Sequence, residues 1–445
     1  MPEIASPPAS TLTPAKTARQ RTDTFTSIWM IIAVAMALVT LVVKNRMPQP
    51  LWTMIHLVTL GVLSNGIFQW SWFFARSLAR LSADDPRARR HNTIRILIFN
   101  ACFLLLFVSM WLGWMVGTMI AATGIAAVAA WHGAEMLSVL RERLASRFVI
   151  VVRYYVCSAS FFVLAALLAS FVTVTMFSPS IPEAMVAMRD RLTLAHALSG
   201  VAGWVGLTIG GTVITLGPTI LRTRMSPDAV RGGVRVLLPW CLSLLLAIAG
   251  ALLGVIPLVG AGILAVGTCA IVGIVYPYAK VLRNKGPREY SAWSFLLGLL
   301  WISVGVCALG VAALFISTPS QLRALTLMWL PIIGIAGFAQ LFQGALSYLM
   351  PVVIGGGPSI VRIGIAIIDW QFPLRLGLRN SALILELFLF FAGDSTSVNV
   401  LRMAGWFLMI ATFVIDVVIY AKTGVTQARA RRARSETLSE SRQVQ

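Results

Sequence analysis

From Thr26 to Ala421 the chain passes through one apolar stretch after another, each about as long as a bilayer is thick. A helix crossing the hydrocarbon core needs about 20 apolar residues, and lipid leaves the backbone no choice but helix or closed barrel. About twelve stretches meet that length: about 27–43, 51–75, 95–112, 114–134, 149–177, 192–217, 236–255, 257–280, 292–316, 324–353, 380–393 and 398–421. The composition agrees, with 58% hydrophobic and 12% charged residues, against about a quarter charged in a soluble domain. The expected fold is an all-α polytopic helical membrane protein.

The charges report orientation. The chain carries +20 at pH 7, which in a soluble protein would suggest nucleic acid. Here the basic residues gather in alternate loops, at Arg76–Arg95, Arg141–Arg153, Arg222–Arg235 and Lys280–Arg288. That is the positive-inside pattern of a cell-membrane protein, with anionic lipid as the partner and no nucleic acid. It places both termini in the cytoplasm. Residues 1–26 read as a disordered cytoplasmic tail, 27–421 as a twelve-span membrane domain and 422–445 as a basic cytoplasmic tail. The stretch 354–380, with glycines, an apolar run and three arginines, reads as an interfacial amphipathic segment.

Five cysteines lie singly in apolar runs, without a C-x-x-C, and 17 methionines are scattered. Both read as packing residues rather than a zinc or copper box.

Polar side chains within the spans are more informative, because each must find a partner in lipid. On the second span Gly61, Asn65 and Gln69 share one face while His56 points elsewhere, so that span belongs at the centre of the bundle. Asn65 and Gln69 either line a path inward or bond to neighbouring helices. Gln340, Gln343 and Ser347 form a similar stripe on the tenth span. Asp416 is expected to pair with Lys422, and Glu386, with no nameable partner, is the best candidate for a proton-coupled carboxyl.

A repeat runs through these features. The second, sixth and tenth spans follow one another four spans apart and share a direction, as in a pseudo-three-fold array of four-helix units. His56 and His196 each sit about five residues into their spans, and each has a glycine ten residues on, at Gly66 and Gly206. The sixth and tenth spans finish at Pro218 and Pro351, each with a glycine seven residues earlier, at Gly211 and Gly344. The third copy lacks the histidine, and Trp329 holds its register.

The stretches "HLVTLGVLSNGIFQWSWFFARSL" (56–78), "RFVIVVRYYVCSASFFVLAALLA" (147–169), "LAHALSGVAGWVGLTIGGTVITLGPTILRTRM" (194–225) and "ALSYLMPVVIGGG" (345–357) resemble a group of actinobacterial polytopic proteins. Those proteins occur alone or as membrane halves of copper-oxidase-like chains. The likeness extends more distantly to the haem-copper oxidase catalytic-subunit superfamily and to the NnrS-like haem- and copper-containing membrane proteins. The resemblance implies a redox scaffold, with a copper oxidase or another redox protein as partner. Oxygen reduction in that superfamily uses a copper held by three histidines and an H-x-H, whereas this chain has four histidines and no H-x-H. A complete oxygen-reducing centre cannot be assembled from it.

What remains is a pair of imidazoles at one depth. Two helices with matched histidines can supply both axial nitrogens of a haem b, with copper as the fallback and His132 as the third candidate ligand. Gly200, Gly203 and Gly210 on the face of His196 would let a flat macrocycle or another helix approach. The plainer reading is that each histidine only hydrogen-bonds a neighbour. The expected function is therefore a membrane haem- or copper-binding protein in electron transfer or a nitric-oxide- or copper-related role. A proton-coupled secondary transporter and a non-enzymatic membrane assembly factor are the alternatives, and whether the chain is an enzyme stays open.

Overall fold

The computed structural model describes residues 18–43, 46–47, 49–82, 84–143, 149–177, 182–393 and 395–443. Residues 1–17 of the expected N-terminal tail lie outside the described residues. No strand occurs among the described residues, and the helices follow in order. They are α1 (Ala18–Val43), α2 (Pro50–Leu78), α3 (Arg87–Leu112), α4 (Met115–Glu142) and α5 (Val149–Phe177). Next come α6 (Met188–Ile220), α7 (Pro227–Leu253), α8 (Ile256–Asn284), α9 (Tyr290–Ala313) and α10 (Ser320–Ile354). The last three are α11 (Pro358–Ile368), α12 (Phe372–Phe391) and α13 (Thr396–Gln443).

Eleven of these helices are long and apolar enough to cross a membrane. The protein is an all-α multi-pass membrane protein. The expected twelfth span, 380–393, falls within α12, which is not among the eleven because Arg375, Arg379 and Glu386 interrupt its apolar sequence. The short helix α11 occupies the stretch read as an interfacial segment.

Two connections are as tight as a chain permits. Gly113 (φ 66°) and Gly254 (φ 75°) take left-handed conformations immediately after α3 and α7, where a side chain would strain the backbone. Pro257 then sits in the first turn of α8, where no donor is lost.

The three related helices share a feature that periodicity does not announce. Each is interrupted by a π-helical stretch: Leu57–Ser64 in α2, Leu198–Gly206 in α6 and Ile332–Ala339 in α10. The wider winding misaligns carbonyls, and side chains take up the slack. Ser64 Oγ donates to Thr59 O at 2.7 Å, and Asn65 Nδ2 donates to Gly61 O at 2.8 Å. Pro218 and Pro351 lie just inside the ends of α6 and α10.

These three helices meet at the centre of the bundle. A β-carbon at Gly66 would sit 2.5 Å from the Phe342 ring, so α2 and α10 touch there and a side chain on Gly66 would displace that ring. At the glycines seven residues before the two prolines, the neighbour is the preceding helix. A β-carbon on Gly211 would meet Tyr154 of α5 at 2.6 Å, and one on Gly344 would meet the Phe295 nitrogen of α9 at 2.5 Å. Around α2 the core is aromatic, with Phe68, Phe99, Phe103, Phe162 and Trp204 buried together.

Helices α12 and α13 form an antiparallel pair. Contacts advance along one as they retreat along the other: Arg375 to Asp416, Arg379 to Thr412, Glu386 against Gly405, and the Leu389 carbonyl to Arg402. Asp416 is thus paired with Arg375 and Arg379 of α12, not with Lys422 as expected from sequence. The final segment also departs from expectation. Residues 422–445 were read as a basic cytoplasmic tail without a fold of its own, and α13 continues unbroken through them to Gln443, with Gln427 Nε2 bonded to Pro351 O at 2.7 Å.

Candidate functional site

His56 is the last α-helical residue before the π stretch of α2, and His196 lies two residues before that of α6. The two imidazoles come close across the helix pair, with ring centroids 6.2 Å apart and planes within 14° of parallel. That separation is too wide for direct stacking. One metal ion held by two ring nitrogens, with bonds of about 2 Å each, sets the ring centres about 6 Å apart, so the spacing matches that requirement provided that both Nε2 atoms turn toward the ion.

The other ring nitrogens are committed. His56 Nδ1–H donates to Trp52 O at 2.9 Å, one turn back on its own helix. His196 Nδ1–H donates to Ala165 O of α5 at 2.8 Å. A carbonyl only accepts, so the proton of each neutral ring must sit on Nδ1, and Nε2 carries the free lone pair. A backbone carbonyl on the far nitrogen is also how metal-binding histidines are oriented. Trp52 stacks on the His56 ring at 4.3 Å and 22°, fixing its rotation. The same carbonyl bonds are equally what two non-ligating histidines need to satisfy Nδ1.

The donor set decides which groups fit. Among the described residues no group of three or more His, Cys, Asp or Glu side chains could hold a metal. Two imidazoles alone do not complete a zinc site or a three-histidine copper. They do complete a haem iron, whose other four positions come from the porphyrin, and they suffice for two-coordinate cuprous copper. The glycines near His196 serve protein packing instead of a macrocycle. A β-carbon on Gly203 would strike Phe161 at 2.5 Å, and one on Gly210 would press on Trp240 and Tyr154.

His132, the third candidate ligand, is fully buried and does not join the pair. Its Nε2 lies 3.3 Å from Ser71 Oγ, and its ring contacts are Phe68, Trp72 and Trp204. The remaining histidine, His91, is bonded to Glu135 at 2.7 Å.

The polar stripes are tied up between helices. Asn65 and Asn100 of α3 exchange hydrogen bonds of 2.7 and 3.3 Å, and Trp29 of α1 donates to Asn100 Oδ1 at 2.6 Å. Gln69 is buried on the same helix. Gln340 exchanges bonds with Asn380 of α12, at 3.1 and 3.3 Å, and Ser347 bonds Tyr420 of α13 at 2.9 Å. Gln343 Oε1 accepts from Arg379 Nη1 at 2.7 Å. Glu386 interacts with Trp406 and Arg402, while its Oε1 is buried without a hydrogen bond beside Gly405.

Sequence reading missed one cluster. Arg375 and Arg379 both bond Asp416, and Tyr290 OH of α9 donates to the same carboxylate at 2.7 Å. Arg379 Nε also donates to Thr412 at 2.9 Å, and all five side chains are almost wholly buried. The signal was present: two arginines one helical turn apart, in a stretch otherwise able to enter lipid.

No protein-family model matches the chain, and no curated protein matches it either.

Proposed function

We propose that the chain is a cell-membrane metalloprotein in which His56 and His196 are the two protein ligands of one metal centre. Haem iron is the first candidate and cuprous copper the second. The observation that carries this reading is the near-parallel pair of imidazoles, 6.2 Å apart, with both Nδ1 protons held by backbone carbonyls. In this reading α12 is the twelfth crossing, since a 20-residue helix antiparallel to α13 is about 30 Å long. Both termini then lie on the cytoplasmic side, as the loop charges favour.

When bound, such a haem supplies a one-electron couple. The protein's part is to present two neutral imidazoles from α2 and α6, with Trp52 and the Ala165 carbonyl holding their orientation. The reaction class that fits is electron transfer or a nitric-oxide- or copper-related response, in keeping with the resemblance to oxidase-like scaffolds.

The test is the full chain purified after haem-supplemented expression, examined by absorption spectroscopy and metal analysis. A Soret band with low-spin features and iron near one per chain is expected, and His56→Ala and His196→Ala should each abolish both. One copper per chain without a Soret band selects the second candidate. Colourless, metal-free protein overturns the proposal.

A further inference from the structure

Beyond the histidine pair, α2, α6 and α10 border a second feature. Starting ten residues past His56, about 15 Å along the helix, they leave between them a half-open apolar void of about 70 Å³. Ile67, Ile209, Phe342 and Ala345 form its wall, with Phe295 of α9 at its edge.

Three hydroxyl residues stand in that wall, yet no polar atom faces the void. Their hydrogen-bonding capacity is turned outward. Ser71 Oγ is bonded to His132 Nε2 at 3.3 Å. Thr208 Oγ1 donates to Trp204 O at 2.7 Å and lies 3.1 Å from Ser158 Oγ. Thr212 Oγ1 donates to Thr208 O at 2.7 Å and bonds Tyr155 OH at 3.0 Å. A water entering the pocket would need two to four polar partners and would find none, so the lining favours an apolar occupant over water. Enclosed apolar cavities accept xenon and small hydrocarbons, and this half-open pocket presents the same all-apolar lining. Filling the void was within reach of the sequence, because residue 345 is an alanine on a helix rich in leucine.

We propose that this central void is a binding site for a small, uncharged, apolar molecule of the size class of dissolved gases. The site stands apart from the histidine pair and does not depend on a metal there.

The probe is xenon, applied under pressure to crystals of the full chain and located by its anomalous scattering. A peak between Ile67, Ile209 and Phe342 is expected. Ala345→Leu, which places three more carbons in the void, should remove that peak while xenon at lipid-facing surfaces persists. Ile209→Ala, which enlarges the void, should raise the peak and serves if the leucine variant does not fold. An ordered water in the void, no peak in the wild type, or a peak unchanged by the substitution obtained overturns the proposal.

Discussion

Trp204 Nε1–H donates to Ser64 Oγ at 2.9 Å, joining the π stretch of α6 to that of α2 across 140 residues of chain. Ser64 Oγ–H donates in turn to Thr59 O, so one hydroxyl both mends the widened turn and locks the two histidine-bearing helices together. Trp204→Phe keeps the ring stacked on Phe162, at 4.6 Å and 10°, but loses the donor. It should cost about 1 kcal/mol, read as a lower melting temperature in detergent. Adding Ser64→Ala should cost less than the two single effects combined, because both remove the same bond.

Trp52 supports the His56 ring by its face and by its carbonyl, and only the first depends on the side chain. If the pair holds a metal as proposed, Trp52→Ala should leave both Nε2 atoms present but lower metal affinity by about 10–100-fold, the usual effect of losing an orienting neighbour. Metal titration of the purified variant measures it. Unchanged affinity would mean that the backbone bond alone sets the ring.

Asp416 holds two buried guanidiniums. Asp416→Ala leaves both without their carboxylate and should cost about 3–5 kcal/mol, enough to prevent recovery of folded protein. Tyr290→Phe, which removes one donor to the same carboxylate, should cost about 1–2 kcal/mol. Lys422→Ala should change the melting temperature little, since Lys422 is exposed and outside this cluster.

Two glycines separate close approach from open space. A β-carbon at Gly344 meets the α9 backbone at 2.5 Å, whereas one at Gly377 meets nothing within 4 Å. Gly344→Ala should therefore destabilise by about 1–3 kcal/mol. Gly377→Ala should be neutral or stabilising by up to about 1 kcal/mol. Thermal melting distinguishes them.

At the start of α3, the Arg87 guanidinium beside Asp85 holds its carboxyl below the usual carboxylate range. Arg87 also bonds Glu142 of α4 at 2.6 Å, so the acid belongs to a clasp between the two helix ends. A carboxyl lowered in the folded state stabilises at pH above its unfolded value of about 3.9. That contribution is lost as pH falls through the folded value. Asp85→Asn should reduce stability at neutral pH and flatten the loss on acidification. Melting curves from pH 7 to pH 3 show the sign.

The spans were legible because lipid demands long apolar runs, and Gly113 and Pro257 stand at two of the tight breaks between them. The site was legible in part, since matched positions in related helices put His56 and His196 at one level. The π stretches were not legible, because a single widened turn shifts the face of a helix without changing its composition. Asp416 was assigned the wrong partner for a related reason. Arg375 and Arg379 were counted with the cytoplasmic loops, whereas α12 begins at Phe372 and carries them into the bundle. Length and charge counting place such residues outside, and only the packing of α12 on α13 reveals a counter-ion within reach.

Helix α13 runs 48 residues without a break, a rod of about 70 Å in a slab whose oily layer is about 30 Å deep. Its far portion is fastened to the end of α10 through Gln427, Arg431 and Arg434. The length of α13 that outruns the oil is therefore clamped at its base by backbone carbonyls at and just past the end of α10, so the helix leaves the bundle in a direction that those three bonds set.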